Sequence, residues 1–178
     1  TGAYGTYPID GEVEDYYIPA QNDVVLPQDC NTDNPLGLVN PIQAVWHTSL
    51  IKLASGDWMI FGYGASPNGS ANQIVPNLIT PAYGFDYKGT ALMATMSSDQ
   101  YFILTTAGLY TWGSSQGIFS KGTTALGQVP LPPQIAPGNV QMIDGGAGNA
   151  SLALVTKTGE VWMRTSTIGH DVQGNGNT

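Results

Sequence analysis

Cysteine occurs once in the 178 residues, as Cys30. A disulfide needs two thiols and a thiolate zinc site needs several, so this chain alone builds neither. Basic side chains are scarce too: five Lys and Arg stand against 13 Asp and Glu, a formal charge of −8. Such a surface repels a phosphate backbone, and no nucleic acid partner is expected. The apolar runs are a few residues each, far short of the ~20 that a spanning helix needs, so no membrane insertion is expected. No charged-then-apolar signal segment opens the sequence, and any export signal is expected to lie outside it.

What is present points to a folded β protein. Hydrophobic residues make up 42% and charged residues only 10%, a balance that supports a buried core and argues against disorder. Gly (23) and Pro (12) are scattered without a three-residue period, which excludes collagen and breaks the chain too often for long helices. Many short strands joined by turns remain.

The sequence repeats itself. SLIKLASGDWMIFG from Ser49, QYFILTTAGLYTWG from Gln100 and SLALVTKTGEVWMR from Ser151 share one pattern. An apolar strand (Leu50 to Leu53, Tyr101 to Leu104, Leu152 to Val155) leads through small or polar residues to a Gly, then to a strand carrying aromatics. Each copy predicts a hairpin. The glycines Gly56, Gly108 and Gly159 recur at intervals of 52 and 51 residues, close to the length of a propeller blade repeat. Each is expected in its tight turn, where a positive φ favours Gly. Trp58, Tyr110 and Trp162 follow at near-equivalent places, with Phe61 and Trp112 expected as second aromatics on the same face; the first unit carries one extra residue in its second strand.

The segments between hairpins, Pro67 to Pro81 and Val129 to Gly138, are punctuated by Pro and Gly, which confine their strands to edges or loops. Each unit thus has material for about four short strands. The reading is an all-β, partial propeller of blades about 51 residues long over 42–178. It is preceded by a linker or irregular first-blade segment over 21–41 and a foreign strand over 1–20.

The repeats resemble the regulator of chromosome condensation family, whose seven-bladed propellers repeat a Gly-Gly, an LALT-like strand, a dGeVy turn and a Trp-Gly. The third unit matches best, through Gly145-Gly146, Ser151-Leu152-Ala153-Leu154 and Thr158-Gly159-Glu160-Val161-Trp162; Pro137-Gly138-Asn139-Val140 also fits. The second keeps Gly108, Tyr110, Trp112 and Gly113, with Ala125-Leu126-Gly127 near a recurrent Gly-x-Leu-Gly piece. The first keeps Gly56, Trp58 and Gly62, with His47 close to a recurrent histidine. The family's nucleotide-exchange and chromatin roles depend on face residues and charge that this acidic chain does not show. Asp10-Gly11-Glu12-Val13-Glu14-Asp15-Tyr16 is similar to the closing strand of GEVED-type β-sandwich modules of large bacterial surface and secreted proteins. That resemblance, with too few blades for a seven-bladed ring, implies a fragment of a longer chain.

In a strand, Asp10, Glu12 and Glu14 project from one face, and with Asp15 they offer hard oxygen ligands to Ca²⁺, the possible cofactor. The plainer reading is a solvated strand edge that its charges protect from pairing. His47 and His170 stand apart, without carboxylate or thiol at metal-ligand spacing, and are read as core or turn residues. No Gly-x-Ser-x-Gly elbow occurs, and the acids after Asp33 (Asp57, Asp86, Asp99, Asp144, Glu160, Asp171) sit mostly at turns, with no paired-carboxylate cleft. Aromatics outside the repeat (Tyr4, Tyr7, Tyr16, Tyr17, Tyr83, Tyr87) offer stacking surface to sugars or half-buried strand packing. Asn68-Gly69-Ser70 and Asn149-Ala150-Ser151 fit the glycosylation pattern.

The expected role is a non-catalytic binding, adhesion or display module of a large secreted or cell-surface protein. The top loops (Ala65 to Ala71, Ser114 to Gly122, Thr165 to Gly174) would meet a surface glycan or protein ligand. An accessory propeller of a carbohydrate-active enzyme, or a structural spacer, stays open.

Overall fold

In the computed structural model the described residues are 42–45, 47–113, 123–146 and 151–165. They form three antiparallel sheets, each built from strands consecutive in sequence. The first holds β1 (Ile42–Val45), β2 (Thr48–Lys52), β3 (Trp58–Gly62) and β4 (Gln73–Leu78). The second holds β5 (Ala91–Ser97), β6 (Gln100–Thr105), β7 (Gly108–Gly113) and β8 (Gly127–Val129). The third holds β9 (Val140–Gly146), β10 (Ser151–Thr156) and β11 (Val161–Thr165), three strands among the described residues. The first two hairpins read from the sequence, β2–β3 and β6–β7, are the centres of their sheets, while in the third β11 is an edge among the described residues; β4, which contains Pro76, is an edge strand, where a missing N–H costs nothing. Single 3-10 turns at Pro81–Tyr83 and Pro137–Asn139 lie in the connections between sheets.

The turns differ in length, and this corrects part of the sequence reading. In the first hairpin the Leu53 amide donates to Asp57 O at 2.8 Å, closing the turn Ala54-Ser55-Gly56 with Gly56 at φ 90°. The third is built alike: Thr156 N donates to Glu160 O at 2.9 Å around Lys157-Thr158-Gly159, with Gly159 at φ 87°. In the second, Thr105 pairs directly with Gly108 across the two residues Thr106-Ala107, so Gly108 is a strand residue and not a turn residue. The extra residue of the first unit therefore sits in the turn, not in the strand.

The number of residues from the closing pair of the turn to the aromatic decides which face it occupies, because side chains alternate along a strand. Trp58 pairs with Lys52, whereas Tyr110 pairs with Ile103 and Trp162 with Leu154. Counted from the closing pairs, Lys52 corresponds to Leu104. Trp58 therefore corresponds to Leu109, and Met59 takes the place of Tyr110 and Trp162. Phe61 and Trp112 do correspond, each one residue before a glycine at positive φ (Gly62, 127°; Gly113, 132°). Phe61, however, lies on the face opposite Trp58.

The register gives every sheet a forward face, turned to the following sheet, and a rear face. Leu50, Trp58 and Ile60 on the forward face of the first sheet pack against Ala94, Met96, Tyr101, Ile103, Tyr110 and Trp112 on the rear face of the second. Phe102, Leu104, Leu109 and Val129 on the second sheet's forward face pack against Ile143, Leu152, Leu154 and Trp162 on the rear face of the third. The middle sheet is thus apolar on both faces, and β6 and β7 are buried along their whole length. A strand buried on both sides reads as a continuous apolar run, as QYFILT does.

The first strands of the sheets are joined by polar rungs. Thr95 Oγ1 donates to Gln43 Oε1 at 3.1 Å, and Gly145 N donates back to Thr95 Oγ1 at 3.0 Å. Gln43, Thr95 and Asp144 hold the same position in β1, β5 and β9, opposite Leu50, Phe102 and Ala153. β5 and β9 make direct contact along their length. Sheets stacked face to face with their first strands converging are the leaves of a β-propeller.

Candidate functional site

Strand alternation sorts the connections between two ends. One end carries the three hairpin turns and the links between sheets, 79–90 and 130–139. The other, the loop end, carries the turns β1–β2 and β5–β6, the excursion 63–72 and, among the described residues that lead into β8, 123–126. Of the three loops expected to meet a ligand, Ala65 to Ala71 lies at this end. Ser114 to Gly122 falls outside the described residues, as does nearly all of Thr165 to Gly174.

The 63–72 loop is rigid by construction. Asn68 Oδ1 accepts from Ser66 Oγ (2.6 Å), Ser70 N (3.0 Å), Ser70 Oγ (3.2 Å) and Ala71 N (3.2 Å). A short amide side chain bonding backbone two or three residues on is the ordinary device for holding such a turn. The loop is also clamped to the second sheet. Trp112 Nε1 donates to Ala65 O at 3.1 Å, Leu126 N to Pro67 O at 2.8 Å and Thr124 Oγ1 to Asn68 O at 2.8 Å. Gly69, at φ 68°, packs so closely on the Thr124 backbone that a Cβ would overlap its carbonyl.

On this base stands an exposed aromatic pair: His47, in the β1–β2 turn, and Tyr63, just past β3, meet edge to face at 6.4 Å. Tyr63 N donates to His47 O at 3.1 Å, so the two positions are fixed to one another. Beneath them, Tyr101 is buried and its hydroxyl bonds the Tyr63 carbonyl and, at 2.9 Å, Thr48 Oγ1. Burial pushes the Tyr101 phenol up to about 12; the Thr48 bond opposes that rise and the Asp99 carboxylate adds to it. Asn68, Ser70 and Asn72 are exposed on the same 63–72 loop, and the Asn72 side-chain oxygen accepts from Gly64 N, next to Tyr63, at 3.3 Å.

Other candidates fare differently. Asp10, Glu12, Glu14 and Asp15 lie outside the described residues, as do the 1–20 and 21–41 segments, His170, Cys30, Asn149, Tyr4, Tyr7, Tyr16 and Tyr17. Among the described residues no three His, Cys, Asp or Glu side chains converge as a metal site would require. Tyr87 is no sugar platform: its hydroxyl donates to Ile79 O at 2.9 Å and its ring packs on Tyr110. Tyr83 is exposed, but between sheets at the opposite end. Tyr63 was legible only as the first residue after a hairpin ends. A concavity of about 370 Å³ lies at the turn end, lined by Gly108, Gln128, Leu131, Ile135 and Pro137. Its main polar side chain, Gln128, is spent on Ala107 O at 3.0 Å, leaving little to orient a ligand.

No protein-family model matches the sequence, and no curated protein matches it. Solved structures do match in fold. Human WBSCR16 superposes with a TM-score of 0.51 at 14% identity, over 68% of this chain and 31% of that one. Prp20p from Saccharomyces cerevisiae, described together with its binding to Gsp1p and histones, superposes with a TM-score of 0.50 at 15% identity, over 68% of this chain and 29% of that one. The chain therefore shares the all-β, propeller-type fold of these structures, and spans about three tenths of their length.

Proposed function

We propose that the chain is a non-catalytic binding, adhesion or display module of a secreted or cell-surface protein, and that it meets a surface glycan or protein ligand at the loop end. The observation that carries this reading is the exposed His47–Tyr63 pair, whose Tyr63 opens a loop clamped to the next sheet. Binding loses affinity to whatever must be ordered, and a surface already held rigid avoids that loss. An exposed aromatic face beside a loop that carries amide and hydroxyl groups suits a sugar ring, whose C–H side stacks while its hydroxyls bond. Protein contact is supported by analogy alone, since Prp20p is described as binding Gsp1p and histones. The formal charge of −8 argues against a nucleic acid. The GEVED-like strand, with its Ca²⁺ reading, supports a bacterial surface context.

Glycan-array and whole-cell binding by the chain, each repeated with Tyr63→Ala, test the proposal. Saturable binding weakened tenfold or more by Tyr63→Ala is expected. Silence in both assays favours a structural spacer, and binding indifferent to the loop end places the site elsewhere.

A further inference from the structure

The triplet Asn68-Gly69-Ser70 has the pattern of an acceptor for N-linked sugar. A three-residue pattern recurs by chance; what distinguishes this one is how the Asn68 carboxamide is used. Asn68 and Ser70 are both exposed on the 63–72 loop. Two backbone amides, Ser70 N at 3.0 Å and Ala71 N at 3.2 Å, point at one atom of that carboxamide. A backbone N–H only donates, so this atom must be the oxygen, and the nitrogen is the other end. The hydroxyls of Ser66, at 2.6 Å, and Ser70, at 3.2 Å, donate to the same oxygen. All the side-chain bonding of Asn68 therefore falls on Oδ1, and among the described residues nothing bonds Nδ2. Asn72 is exposed too and its oxygen is likewise engaged, by Gly64 N at 3.3 Å, but the second residue after it is Ile74, which has no hydroxyl.

We propose that Asn68 carries an N-linked glycan, taken from a sugar donor activated by a diphosphate. Nδ2 forms a bond to C1 of the sugar as the bond from C1 to the diphosphate oxygen breaks. The diphosphate leaves with the bonding pair, and the nitrogen gives up one of its two protons. The product keeps Oδ1 as acceptor, so the bonds from Ser66, Ser70 and Ala71 all survive the substitution. The loop is also held without Nδ2: Gly69 N donates to Ser66 O at 2.7 Å, and Leu126 N and Thr124 Oγ1 hold the Pro67 and Asn68 carbonyls, each at 2.8 Å. A bulky, solvated group on such a nitrogen costs the fold no hydrogen bond. The proposal rests on the reading above only for its secreted or surface setting and does not need the His47–Tyr63 pair to bind anything.

Mass spectrometry of the whole chain, as its own cells produce it, reads the site. The peptide that holds Asn68 should carry sugar, localised to that residue by fragmentation. Asn68→Asp offers a carboxylate to the same donors and so keeps the loop folded; it should lose the sugar, as should Ser70→Ala, while Ser70→Thr should retain it. One sugar, or a ladder of single additions, identifies a nucleotide-carried donor, and one fixed block of several sugars a lipid-carried one. A bare Asn68 in the wild-type chain overturns the proposal. So does a modification of that peptide which Asn68→Asp or Ser70→Ala leaves in place. If binding by a chain with bare Asn68 still falls with Tyr63→Ala, the glycan alone is refuted and the binding reading stands.

Discussion

The Thr95 hydroxyl donates to the Gln43 side-chain oxygen at 3.1 Å, across the boundary between the first and second sheets, and receives the Gly145 amide of the third at 3.0 Å. One buried hydroxyl thus registers three repeats. Thr95→Val keeps the shape and strands those partners, at a cost of about 1–3 kcal/mol. Urea denaturation should show this loss, with Thr95→Ser, which keeps the hydroxyl, losing clearly less.

Glycines at positive φ divide into two kinds. A Cβ at Gly56 meets nothing within 4 Å, so Gly56→Ala carries only the conformational strain of φ 90°, about 1–2 kcal/mol. At Gly113 the same methyl would overlap the Asp99 carbonyl, which lies in the β5–β6 turn. Gly113→Ala should therefore lower the melting temperature markedly further than Gly56→Ala; equal losses would mean that the strand ends are not packed as described.

Trp112 and Trp58 are both buried, but only the first uses its ring N–H. Trp112→Phe removes the bond to Ala65 O and should cost about 0.5–1.5 kcal/mol beyond the loss of ring area. Trp58 Nε1 has no partner among the described residues, so Trp58→Phe removes a buried donor that is already unsatisfied and should cost less than Trp112→Phe. Loosening of the 63–72 loop, seen as faster amide exchange at Ser70 and Ala71, should accompany the Trp112 change alone.

The Tyr101 phenol is held neutral, its pKa raised to about 12 from an ordinary 10.0. The folded state therefore binds this proton more tightly than the unfolded one. The corresponding stability is complete below about pH 10 and is lost as pH rises towards 12. Denaturation midpoints from pH 8 to 11.5 should fall at the alkaline end, and Tyr101→Phe should flatten that fall while lowering stability throughout through loss of the Thr48 and Tyr63 bonds.

The architecture was legible because it is written three times. Apolar strand, glycine and aromatic strand recur at blade spacing, and a pattern repeated that often outweighs the ambiguity of any one copy. The face assignments were not legible. Thr106-Ala107 is a two-residue turn with Gly108 just past it, and Ala54-Ser55-Gly56 is a three-residue turn with its glycine inside, and the two read alike in the sequence. Only the register shows that Trp58 points forward while Tyr110 and Trp162 point back. At the loop end, the Ala65 to Ala71 segment was visible as a break in the pattern. The Asn68 network, the Trp112 clamp and the His47–Tyr63 pair join residues up to 56 apart in sequence, and no local signal announces them.

Native-state hydrogen exchange tests the central claim, a middle sheet clamped on both faces by its neighbours. Amides of Tyr101 to Leu104 in β6 should exchange only through global unfolding, more slowly than those of Leu50 and Ile51 in β2 or Ala153 and Leu154 in β10. Equal protection in the three hairpins, or a β6 that exchanges faster than its neighbours, would contradict the stacked-leaf arrangement.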